Sequence, residues 1–134
     1  NVAYYVLAFD KATDAFYDYF GLSWDYLNTT KQSLFTLGMN VDYVREVVEG
    51  DPLRIETQLL DWSDKCLHYV HLMYHVGEGY LVATNECLAL HVSMGTRRST
   101  PFDAGRQQSF ATLLQGQKDV ARPKQVARTL QIRR

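Results

Sequence analysis

Residues 1–20 read NVAYYVLAFDKATDAFYDYF, and Gly21 follows. Val2, Tyr5, Val6, Phe9, Ala12, Thr13, Phe16 and Phe20 recur at steps of three and four, the period of a helix with one apolar face. Asp10, Lys11, Asp14 and Asp18 fall mostly on the other side. Neither Pro nor Gly interrupts the run before Gly21, which suits a stop just past the last turn. The stretch therefore predicts one helix of about five turns. Its large aromatics demand burial, and no comparably apolar second helix follows, so the partner should be a sheet. Asn1 is a favoured N-cap. A cap has a purpose only if a chain leads into it, so the sequence is expected to begin inside a structural unit.

Downstream the period changes. Leu22 to Leu27 reads as a connector with one helical turn, and Asn28 to Lys31 as a polar loop. Phe35, Leu37, Met39, Val41 and Tyr43 then alternate with polar or small residues, predicting a strand with one buried face. Glu49-Gly50-Asp51-Pro52 is a turn. Leu53 to Leu59 alternates again. Cys66 to Val76 and Tyr80 to Ser93 are apolar on both faces, as central strands are, with Gly77-Glu78-Gly79 between them as a hairpin loop. Short connections make these strands antiparallel. One helix followed by four long strands predicts an α+β domain, with a long helix wrapped by a curved antiparallel sheet. Residues 1–100 carry this pattern. Residues 101–134 read as a basic extension, with a short helix over Phe102 to Gln115 and mixed order after it, packing on the same domain.

Composition narrows the classes. Hydrophobics at 46% and charges at 22% suit a soluble globular chain. A formal charge of -1 provides no global pull toward nucleic acid or an anionic membrane. No apolar run approaches the length of a membrane span. Nine of the fourteen basic residues lie after Met94, against only Asp103 and Asp119 as acids. Cys66 and Cys87 lie inside strand-like runs with no zinc-type spacing, which predicts two reduced thiols in a cytoplasmic protein. The four histidines make no metal site: only His71 and His75 share a strand face, and strand rise separates them by about 13 Å.

The opening Asn1-Val2-Ala3-Tyr4-Tyr5, continued by Phe9-Asp10-Lys11-Ala12, resembles the helix entry of hotdog-fold proteins, in the 4-hydroxybenzoyl-CoA thioesterase-like branch. That pattern runs Asp…Gly-His-(Val/Met)-Asn-x-x-x-Tyr and on to Phe-(Glu/Asp)-x-Ala. The Ala83-Thr84-Asn85-Glu86 to His91-Val92 stretch and the Arg-Arg ending are similar to betainyl-CoA thioesterase domains. The resemblance implies an acyl-CoA thioesterase, releasing free acid and coenzyme A, with no cofactor or metal, built as a homodimer or a tetramer of dimers. It also implies that the first strand of the fold, and a catalytic Asp, precede Asn1. A non-catalytic acyl-CoA or acyl-carrier binding module is the alternative. A hotdog dehydratase would want a histidine at the helix start, and the helix has none.

The resemblance gives the residues their candidate roles. Asn1 either caps the helix or shapes the turn where free amides meet an oxyanion, and both hold together. Glu86, mid-strand between apolar neighbours, is a candidate base, set against a plain wet-face glutamate. Asp10 is the acid of the helix that can face a dimer pocket; Asp14 and Asp18 continue a solvated stripe. Asn85 on the opposite strand face from Glu86 can orient water or a carbonyl, and His91 can assist. Tyr4 and Tyr5, with Trp24 and Tyr26, can line an acyl pocket or cage a quaternary ammonium group, or simply pack. Arg97 and Arg98, beside Ser99 and Thr100, suit the phosphates of coenzyme A, against a solvated basic loop.

Overall fold

The computed structural model describes residues 2–134, with side chains from residue 4 onward. Helix α1 (Val2–Tyr19) and the short α2 (Trp24–Thr30) precede four long strands. These are β1 (Gln32–Tyr43), β2 (Leu53–Trp62), β3 (Cys66–His75) and β4 (Leu81–Ser93). A two-residue β5 (Arg98–Ser99) pairs with the end of β4, and α3 (Ala104–Gly116) follows. The sheet is antiparallel, in the order β1-β4-β3-β2.

The inner face of the sheet holds α1. Phe9 is fully buried with Met73, Val82 and Ala83. About two and three helical turns on, Phe16 and Phe20 pack against Tyr69, Cys87 and Phe110. Burial of a side chain such as Phe9 is worth about 2–3 kcal/mol. Gly21, at φ +67, ends α1, with its amide donating to the Asp18 carbonyl. Arg106 from α3 completes that end. It donates to the carbonyls of Phe20 and Gly21, each at 2.9 Å, and lies 4.4 Å over the Tyr26 ring.

Three sequence expectations need revision. The polar stretch at Asn28 to Lys31 is the last turn of α2, closed by Lys31 in the left-handed region at φ 58. Thr residues 29 and 30 return their hydroxyls to the helix carbonyls, which keeps a polar sequence helical. The alternation in β1 is interrupted by a bulge between Thr36 and Gly38. Its apolar set is not buried: Phe35, Leu37, Met39 and Tyr43 are 45–62% exposed. The bulge turns Phe35 to the other sheet face from Met39 and Tyr43, and α1 packs mainly toward β2, β3 and β4, so β1 is covered only in part, at Leu34 and Val41.

The outer face is covered by residues 117–134. Val120 accepts from Gln58 and Arg122 donates to the Leu60 carbonyl, both on β2. The chain crosses to β1, where Arg128 meets Asp42 and Thr129 meets Asn40. It then returns to β2, where Arg134 donates twice to Asp61. No helix among the described residues is long and apolar enough to cross a membrane.

Candidate active site

Free amides of the first helical turn point out of the N-terminal end of α1, where the helix dipole is positive. Beside that end lies a cavity of about 520 Å³. Tyr4 and Tyr5 form its helical wall; Val47, Glu49 and Asp51 of the β1–β2 connection, with Leu53 at the start of β2, form the opposite wall. Tyr5 packs edge-on to Tyr4 at 6.1 Å and to Tyr43 of β1 at 5.4 Å. Through Tyr5 the helical wall of the cavity also touches the edge strand β1.

Asp10 lies one turn beyond Tyr5 and is exposed. Helical side chains lean toward the N-terminus, so its carboxylate leans along α1 in the direction of the first turn, with about 9 Å of helix rise between Tyr4 and Asp10. Asn85 is buried on the inner sheet face, as is Cys87. Burial pushes the Cys87 thiol up to about 12, and the charges of Glu86 and Asp10 add to this, so it is held as an unreactive thiol.

Glu86 faces the other way. It is 1% exposed and accepts from His68 Nε2 at 2.6 Å and from the Ala127 amide at 2.9 Å. The sheet and the strap of residues 117–134 therefore separate it from the cavity. His91 is fully buried near the far end of β4. Its Nδ1 donates to the Thr100 carbonyl at 2.7 Å, its Nε2 lies 2.8 Å from the Tyr26 hydroxyl, and its ring stacks on Phe102. Burial holds its pKa below the usual histidine value. Arg97 and Arg98 are exposed beyond that same end. The thirteen residues of β4 span about 40 Å at strand rise. Of the sequence candidates, Tyr4 and Tyr5 line the cavity; Asp10 is exposed further along α1, Asn85 is buried mid-sheet opposite His71, and Glu86, His91, Arg97 and Arg98 lie elsewhere. Asn1 lies outside the described residues.

Sequence reasoning weighed His71 only as a metal ligand. It sits between α1 and the sheet, with Nε2 2.8 Å from Thr13 Oγ1 and Nδ1 2.7 Å from Thr57 Oγ1. Phe9 stacks on its ring. Burial lowers its pKa from 6.5 to about 4, so it is neutral in the fold. The unfolded chain binds that proton more readily, so stability rises with pH across this interval. His71's contribution should be whole above pH 6.5 and fall away as the pH drops toward 4. The loss should reach about 3 kcal/mol. Urea unfolding between pH 4 and 7 would measure it, with His71→Gln flattening that part of the profile.

A helix laid across a curved antiparallel sheet, with a cavity at its N-terminal end, defines the hotdog class. The comparisons agree. The protein is similar to a Staphylococcus aureus structure solved in complex with CoA, at TM-score 0.89 and 26% identity, over 99% of this chain and 84% of that one. It has the same fold as a DHNA-CoA thioesterase of S. aureus, at TM-score 0.71 and 15% identity, over 85% of this chain and 77% of the other. A curated relative, the betainyl-CoA thioesterase of Pseudomonas aeruginosa, is 34% identical over 96% of this chain and 80% of its own length. The thioesterase-like superfamily model matches residues 1–114, and the chain belongs to that family. It is a thioester hydrolase, the acyl-CoA thioesterase that the sequence led us to expect.

Proposed function

We propose that the acyl group enters the cavity beside Tyr4 and Tyr5, with the thioester held at the first turn of α1. Asp10 takes a proton from water, and the hydroxide attacks the thioester carbonyl. First-turn amides stabilise the oxyanion, and collapse expels the coenzyme A thiol, with Asp10 returning the proton. Asn85, on the same sheet face, orients the water. The observation that carries this reading is the cavity itself, joined to the helix end through Tyr4 and Tyr5.

The same lining favours a cationic acyl group. Two tyrosines and two carboxylates, Glu49 and Asp51, line the cavity, with no Lys or Arg among the lining residues. Aromatic faces and acids attract a quaternary ammonium. A betaine-like acyl group, as in the name of the Pseudomonas relative, fits this chemistry better than a long alkyl chain. Thiol release from a panel of acyl-CoAs tests it: kcat/KM should be highest for betainyl-CoA. A preference for long alkyl acyl groups would overturn it.

Phosphate binding calls for a second copy. The outer edge of β1 is unpaired among the described residues, and it carries exposed Phe35, Leu37 and Met39. Such an edge invites strand pairing. In a twofold dimer the two β1 strands run antiparallel. That sets the Gln32 end of one copy beside the Tyr43 end of the other. Since β4 pairs Ser93 with Gln32, the Arg97-Arg98 turn of the second copy comes near the first copy's cavity. Strands lie about 4.8 Å apart, so the gap is of the size a pantetheine arm spans. Substituting Leu37 and Met39 together by Lys should convert the dimer to a monomer in analytical ultracentrifugation and raise KM at least tenfold. Tetramers, where they form, are pairs of this dimer.

Residues 1–100 supply this site and 101–134 seal the sheet around it. A cytoplasmic location goes with an acyl-CoA substrate and two free cysteines.

A further inference from the structure

We infer that Tyr80 and His75, on the β3–β4 hairpin, are positioning residues that set acyl selectivity by fixing the loop wall of the cavity. The inference rests on the cavity taking the acyl group.

The two walls differ in how they are held. Tyr4 and Tyr5 ride on α1, which Phe9 anchors in the core. The opposite wall belongs to residues 44–52, which have neither helix nor strand, and Gly50 at φ +91 lies near the turn. A wall of that kind holds a shape only if something else holds it.

The hairpin does so at several points. Arg45 lies 4.0 Å over the Tyr80 ring, and the Tyr80 hydroxyl donates to the Glu46 carbonyl at 3.3 Å. His75 also stacks on Tyr80, at 5.0 Å and 19°. The Glu78 amide donates to His75 Nδ1 at 3.0 Å, so in the neutral ring Nε2 carries the proton. That nitrogen faces Asp51 Oδ2 at 3.4 Å. Asp51 in turn accepts from the Val48 amide at 3.0 Å. Val76 donates to the Pro52 carbonyl at 3.0 Å. Gly77 leaves room for the ring, since a Cβ there would meet His75 Cε1 at 3.2 Å.

The cluster of Arg45, Tyr80 and His75 therefore ties both ends of the loop to one hairpin. Asp51, one of the two lining carboxylates, is aimed by His75. Neither Tyr80 nor His75 lines the cavity, so both act through the wall.

The test compares kcat/KM for betainyl-CoA with that for a straight-chain acyl-CoA of equal length. Tyr80→Ala should shift the ratio tenfold or more, mainly through KM, with kcat within threefold. Tyr80→Phe keeps the stack and should restore most of the ratio. Arg45→Ala, on the solvent side, should shift it the same way by a smaller factor, and serves if Tyr80→Ala does not fold. Tyr5→Ala probes the cavity itself. A shift with Tyr5→Ala but none with Tyr80→Ala or Arg45→Ala overturns the positioning role alone. No shift with Tyr5→Ala overturns the cavity reading, and this inference with it.

Discussion

Asp10→Asn should lower kcat for thioester hydrolysis by two to four orders of magnitude, the usual contribution of a general base. The substitution is nearly isosteric and the side chain is exposed, so the melting curve should move little. Substrate affinity, read as protection by a non-hydrolysable acyl-CoA, should survive, because the tyrosines and the loop wall remain. Single-turnover thiol release separates chemistry from binding. Wild-type kcat in Asp10→Asn would remove this residue from the mechanism, and the base would then have to come from outside residues 2–134 or from another side chain.

Glu86→Ala is the second large effect, and it should fall on stability. Removing this carboxylate leaves His68 and the Ala127 amide unpaired beneath the strap. Leaving a buried donor without its acceptor costs about 1–3 kcal/mol, and two donors lose theirs here. Glu86→Gln keeps an acceptor and should cost less. Urea midpoints measure the loss, and limited proteolysis within residues 117–134 should quicken in parallel. The kcat of the molecules that remain folded should stay within a few-fold of wild type. Loss of kcat with an unchanged urea midpoint would instead bring Glu86 into the chemistry.

Much of the fold was legible because its signals are local. The three- and four-residue steps from Val2 to Phe20 give α1, and the doubled apolar faces of Cys66 to Ser93 give the central strands. The hotdog motif at Tyr4-Tyr5 and Phe9-Asp10 pointed to the thioesterase class. What stayed hidden depends on contacts distant in sequence. Glu86 looks the same in the sequence whether it faces the helix or the strap. Only the register, with Glu86 opposite Asn40 and Asn85 opposite Val41, assigns the two faces. Both faces of β4 are apolar because both are covered, and the second cover comes from a basic stretch with no apolar period. The exposed aromatics of β1 carry the same alternation as a buried strand, since a surface awaiting a partner obeys the same pattern as a core.

The strap also bears on the order of assembly. Its bonds to β4 and β1 join residues 41 to 89 positions apart, whereas β3 and β4 meet across a short hairpin. Loop closure at that distance is entropically late. The strap finds Glu86, Asn40 and Asp61 in their places only after three strands from different parts of the chain have come into register. It should therefore dock last and detach first, so amide exchange at Ala127 would act as a clock for completion of the whole sheet.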